Sequence, residues 1–166
     1  FLLLITFVLF IMLANNVFKG FRFDLTENKL YTLGDGTLNI INKLDDQIIL
    51  NYYFSDSLTQ EDTYLRAYAK RIKELLEEYQ LRSKGKIKLN IIDPLPFSDE
   101  EDDAMKYGLQ GVPSKTKEEN IFFGLVAANR YDSYKIIKFF DPGKEAIIEY
   151  EITKVLYSIL EMKKPK

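Results

Sequence analysis

Five consecutive carboxylates, Asp99 to Asp103, are the densest group of potential ligands and acid–base residues in the chain. On a helix, consecutive residues diverge around the axis instead of converging on an ion. The alternating ligands and sixth-position glycine of an EF-hand are also missing. The run therefore reads as negative charge at a helix N-terminus, where the macrodipole favours it, and Ser98 with Glu101 fits a capping box. Cysteine and histidine are both absent. That excludes disulfides, thiolate metal sites and thiol redox chemistry, and removes the commonest general base and neutral metal ligand. Tyr, Lys, Asp and Glu remain, but no spacing singles out an acid–base pair, and no GxxxxGK[ST] loop offers a phosphate cradle. No catalytic residue, metal or cofactor is expected, and the composition disfavours an enzyme. The 11 Tyr and 12 Phe fall mostly at core spacing. A cluster of Tyr52, Tyr53 and Phe97 around a pocket would instead mark ligand capture. With 23 Lys+Arg against 25 Asp+Glu and a net charge of −2, no excess of cations exists to drive nucleic-acid binding.

Hydrophobic residues at 46% and charged residues at 29% make this a globular composition, and 166 residues hold one domain with an appendage. The elements that would carry these residues follow from periodicity. Arg22–Leu25 and Tyr31–Leu33 suit short extended pieces, Gly34-Asp35-Gly36 a turn, and Thr37–Leu44 a short helix. Gln47–Phe54 is apolar on both faces and reads as a central strand. Residues 61 to 82 repeat Leu65, Tyr68, Ile72, Leu75 and Tyr79 as an amphipathic helix whose charged face is solvated. Lys86–Asp93 alternates as a strand with Ile87, Leu89 and Ile91 on one face, ended by Asp93-Pro94. Ser98–Tyr107 predicts a helix, and Gly108–Pro113 a loop. Ser114–Asn120 predicts a polar tip. Ile121–Asn129 and Tyr134–Phe140 predict a hairpin joined by Arg130–Ser133, with Gly124 marking a close approach in mid-strand. Asp141-Pro142-Gly143 then opens a helix over Lys144–Met162.

The chain opens with Phe1–Ala14, apolar except for Thr6, and meets no charge before Lys19. Extended to Phe18, the stretch approaches the roughly 20 residues that span a bilayer, so residues 1–18 read as a transmembrane helix truncated at its start. A signal-peptide core and a buried helix are the competing readings. Lys19 and Arg22 sit where they can snorkel to headgroups. The remaining boundaries are a membrane-proximal connecting segment at 19–45, an α/β domain at 46–162, and the start of a linker at 163–166.

The order strand, helix, strand, helix, strand, strand, helix resembles the core of the thioredoxin fold. "DAMKYGLQGVP" at 103 to 113 is similar to the thioredoxin stretch before its third strand. By that resemblance the fold class is α/β, an N-terminal transmembrane helix followed by a thioredoxin-like β-α-β-α-β-β-α domain, and Pro113 is a candidate cis proline. The segment in the place of the redox motif, SDSLTQEDTY, has no Cys, so a thiol oxidoreductase is excluded.

Several strings together resemble one family over nearly the whole chain: "FDLTENKLYTLGDGT" (23–37), "YAKRIKELLEEY" (68–79), "IIDPLPFSDEED" (91–102), "YGLQGVP" (107–113), "ENIFFGLVAAN" (119–129) and "IIKFFDPGKEAIIEYEITKVLYSIL" (136–160). The family is GldG, the auxiliary, substrate-binding-like component of ABC-2-type transporters linked to bacterial gliding motility. The resemblance implies an ABC-2-type permease and, through it, a cytoplasmic ATPase as partners. It also implies anchoring in the lipid bilayer of the bacterial inner membrane, with this domain on the periplasmic side and a further α/β domain beyond Lys166. The function it implies is that of a non-catalytic accessory subunit acting through protein–protein contacts. The alternative is a domain capturing peptide, sugar or lipid. Tyr52, Tyr53, Phe97, Val112 and Pro113 are the candidate partner or ligand contacts. Asp93, Gly111, Asp141 and Glu145 lie in the matching strings and read as turn, capping and packing residues.

Overall fold

Seven residues rich in β-branched and aromatic side chains, Ile48–Phe54, form β1 at the centre of a four-stranded sheet, flanked by a strand on each side. The computed structural model describes residues 6–7, 32–114 and 119–162. Around β1 the elements run α1 (Asp35–Asn42), β1, α2 (Thr63–Arg82), β2 (Ile87–Ile92), α3 (Asp99–Tyr107), β3 (Val112–Pro113), β4 (Asn120–Ile121), β5 (Phe123–Asn129) and β6 (Tyr134–Ile137). A 3₁₀ segment (Pro142–Ile147) then leads into α4 (Ile148–Glu161). The sheet order is β2-β1-β5-β6, and β3 pairs with β4 separately. β1 and β2 are parallel, with Ile48 opposite Ile87, because a long helix returns the chain between them. β5 runs antiparallel to β1 and to β6. The fold is therefore α/β with a mixed sheet. Tyr31–Lys166 form one compact unit, distinct from Phe1–Leu30.

Side chains on successive strand residues point to opposite faces, and the two faces bury different things. Ile48, Leu50, Tyr52 and Phe54 of β1 pack with Phe123 and Leu125 of β5 against α1, α2 and α4. Tyr53 and Val126 turn the other way and pack against Ala104 of α3, with Leu109 and Phe122. Phe123 is the hub of the larger core, meeting the rings of Tyr52, Phe54, Tyr68 and Phe140 at centroid distances of 5.0–6.1 Å.

Several expectations are corrected. Asp35 and Gly36 do not form a turn. They open α1, with Gly34 as its N-cap. Thr32 and Leu33 are not a strand, and Leu33 is buried in the core with Ile41 and Leu44. Part of the stretch read as a connecting segment thus packs into the domain. The single strand expected over Ile121–Asn129 breaks at Phe122, whose N–H donates to Ser55 Oγ at 3.0 Å while its carbonyl accepts from Ser55 N–H at 3.0 Å. Ile91 does not share the burial of Ile87, because β2 is an edge strand and Ile91 is exposed. The helix expected from Lys144 begins as the 3₁₀ segment and becomes α-helical at Ile148. The Val112–Pro113 bond is trans, for no cis peptide occurs among the described residues. The two residues lie extended in the β3–β4 ribbon, Pro113 opposite Asn120, at an edge that needs no donor from proline.

The expected transmembrane helix at 1–18 and the extended piece at 22–25 lie outside the described residues, apart from Thr6 and Phe7, which are helical and exposed. Most of the polar tip (residues 115–118) and the linker at 163–166 also lie outside them. Among the described residues, no helix is long and apolar enough to cross a membrane.

Candidate functional site

The loop between β1 and α2 is built to hold its shape. Ser55 and Thr59 are buried polar residues, and both are satisfied locally: Thr59 Oγ1 donates to the Ser55 carbonyl at 2.9 Å, and Ser55 clasps Phe122. Gln60 Nε2 donates to the Asp56 carbonyl at 2.9 Å, and Arg66 Nε pairs with Asp56 Oδ1 at 3.1 Å. Asp62 starts α2 as its N-cap, its carboxylate accepting the Leu65 N–H at 2.9 Å. Ser57 Oγ donates to Asp93 Oδ2 at 2.5 Å, tying the loop to the end of β2.

This loop and the first turn of α2 face the β3–β4 ribbon across a cleft of about 480 Å³. Leu58, Leu65, Val112, Ile121, Phe139 and Pro142 give it an apolar lining. Thr59, Thr63, Ser114 and Tyr64 supply hydroxyls, and Glu61 and Asp62 supply carboxylates. A preformed, largely apolar concavity with a few fixed polar groups suits a small molecule or an inserted side chain. A second groove of about 600 Å³ runs between α2 and the open edge of β2. Arg66, Lys70, Lys73, Asp56 and Asp93 lie around Tyr52, Phe54 and Ile91 there.

Of the five expected contacts, Val112 and Pro113 line the cleft. The expected cluster of Tyr52, Tyr53 and Phe97 does not form, because adjacent strand residues face opposite ways. Tyr52 lies in the larger core, and its hydroxyl donates to the Ala69 carbonyl at 2.9 Å. Burial raises its pKa far above the ordinary tyrosine value. Tyr53 lies in the smaller core on the other face, where burial, helped by Asp103, pushes it up to about 12. Phe97 belongs to neither core and is 100% exposed. Sequence reasoning points to the loop Ser55–Asp62, which holds Leu58 and Thr59, but missed Tyr64 and Phe139 as cleft residues. The available signal was Asp62 as a helix cap, which sets the loop before it against whatever the sheet brings alongside.

The acidic run occupies the first turn of α3 as expected, with Ser98 Oγ accepting the Glu101 N–H at 3.3 Å. The reciprocal bond of the capping box lands one residue early, where Glu101 Oε2 accepts the Phe97 N–H at 2.6 Å. Among the described residues, no three acidic side chains come together as a metal site. The other residues of the matching strings have structural partners. Asp141 Oδ1 accepts the Gly143 N–H at 2.9 Å, Glu145 pairs with Arg71 at 2.6 Å, and a side chain on Gly111 would lie 3.0 Å from Asn120 Cβ.

Residues 27–128 match the family described as a domain of unknown function (DUF7088), and the chain belongs to that family. No curated protein and no solved structure matches it.

Proposed function

We propose that this DUF7088 member is a membrane-anchored accessory subunit of an ABC-2-type transporter that works by contact outside the cytoplasm. The observation that carries the reading is the cleft between the locked β1–α2 loop and Val112–Pro113. A rigid scaffold presenting shaped loops is the usual basis of a recognition surface. The strand order β2-β1-β5-β6, parallel in its first pair and antiparallel in its last, supports a thioredoxin-like scaffold. The apolar run at 1–18 supports an anchor, and the ordered strings shared with the GldG family support the permease and ATPase as partners. Gliding motility is the output that resemblance suggests.

The cleft also favours a second reading, capture of a peptide, sugar or lipid, since its volume falls in the range of small-molecule sites. One experiment separates the two. The full-length protein is purified from native membranes in gentle detergent and its companions are identified. A multispanning permease and a Walker-motif ATPase in fixed ratio are expected. A protein that elutes alone, even after crosslinking, sinks the subunit reading and leaves ligand capture.

A further inference from the structure

Phe97 is held in solvent by the residues around it. It follows Pro94-Leu95-Pro96, whose two rings restrict the backbone, and the Ser98 N–H closes a turn on the Leu95 carbonyl at 3.2 Å. Glu101 Oε2 takes the Phe97 N–H at 2.6 Å, and Phe97 sits at φ +62°. The ring is 100% exposed and Leu95 in the same loop is 48% exposed. Directly behind them, Asp99, Glu100, Asp102 and Asp103 are exposed, and none has an ion-pair partner among the described residues.

We infer that Phe97 is a docking knob that enters an apolar pocket on a partner protein whose rim carries Lys or Arg. Rigid aromatic anchors dominate protein interfaces, and complementary charge around them sets register and speeds encounter. The same carboxylates argue against a bilayer as the occupant, since anionic headgroups repel them. The inference rests on the contact-based reading above, but it concerns a different surface from the cleft and fails separately from it.

The test places a photo-crosslinking benzoylphenylalanine at position 97 of the full-length chain in native membranes. A second variant carries it at Tyr64 in the cleft. The expected product at 97 is an adduct to one protein, mapped to a segment with Lys or Arg beside apolar residues. With that protein purified, Phe97→Ala is expected to weaken binding at least about tenfold, and its melting temperature is expected to match the parent's because the ring touches no core. Asp99→Asn/Asp102→Asn/Asp103→Asn is expected to slow association at low salt and flatten its salt dependence. An adduct only to lipid overturns the inference, as does binding that ignores Phe97→Ala. An adduct at 64 with none at 97 overturns it and leaves the subunit reading standing. An adduct at 97 with none at 64 supports it and counts against the cleft.

Discussion

Gly124 has no room for a side chain. A β-carbon there would lie 2.7 Å from the Ile137 carbonyl oxygen and 2.9 Å from Leu109 Cδ2, and backbone cannot step aside as a flexible side chain can. Gly124→Ala is therefore expected to destabilise the domain by about 1–3 kcal/mol, the usual cost of overpacking. It should appear as a lower urea midpoint at unchanged slope, and an unchanged midpoint would show that β6 yields. This residue was legible in the sequence, because a glycine amid β-formers needs a steric reason. Val112 and Pro113 were also legible, through the local string that carries them. Tyr52 and Tyr53 were not. Aromatic density says that both are buried, but which core each enters depends on a register set by β5, about seventy residues away in sequence. Phe97 was named as a candidate contact, but its separation from both tyrosines was not legible, since only the turn geometry after Pro96 holds it out in solvent.

The elements were recovered more fully than the site because periodicity is local. α2, β1, β2 and α3 begin and end within two residues of their expected bounds. The failures fall where a distant residue decides. Ser55 splits the strand at Phe122, and Glu149 determines where α1 starts. Gly34 caps α1 without a side chain to do it. Glu149 Oε1 on α4 supplies the acceptor instead, taking the Gly34 N–H at 2.8 Å and the Thr37 hydroxyl at 2.5 Å. A carboxylate at a helix N-terminus also meets the positive end of its dipole. Thr153 extends the clasp, with its hydroxyl 2.9 Å from Thr37 Oγ1 and 2.7 Å from the Tyr79 hydroxyl. Glu149→Ala is expected to cost about 1–2 kcal/mol, the value of a lost cap. The loss should be local, so hydrogen exchange should show residues 38–44 opening before β1 and β5. Equal loosening of helix and sheet would mean that α1 is held by Leu33, Ile41 and Leu44 alone.

At the scale of the whole molecule, four buried tyrosines are divided between the two cores. Tyr52, Tyr68 and Tyr79 lie on the face of α1, α2 and α4, and Tyr53 on the face of α3. Tyr68 donates to the Asp141 carbonyl at 3.2 Å and Tyr79 to the Glu149 carbonyl at 3.0 Å, so two of them also fasten the β6–α4 connection to α2. Burial raises the pKa of all four, Tyr53 and Tyr68 to about 12 and Tyr52 and Tyr79 further. A tyrosine in the unfolded chain ionises near pH 10. Above about pH 10 the unfolded chain loses these protons while the native domain keeps them, so the slope of stability against pH turns negative. Stability is expected to be fully present below about pH 10 and to fall as the pH climbs through 12. Urea midpoints taken from pH 8 to 12 measure this directly, and a midpoint flat to pH 12 would refute it. Because the four rings sit on both faces of one sheet, ionising any of them strains the structure that the others depend on. The tyrosinate absorbance of all four should therefore rise in a single step with the loss of circular dichroism, the share of each isolated as the absorbance lost on its replacement by Phe, since the chain has 11 Tyr. Two steps would mean that the α3 layer, with Tyr53 beneath it, opens on its own while the larger core persists.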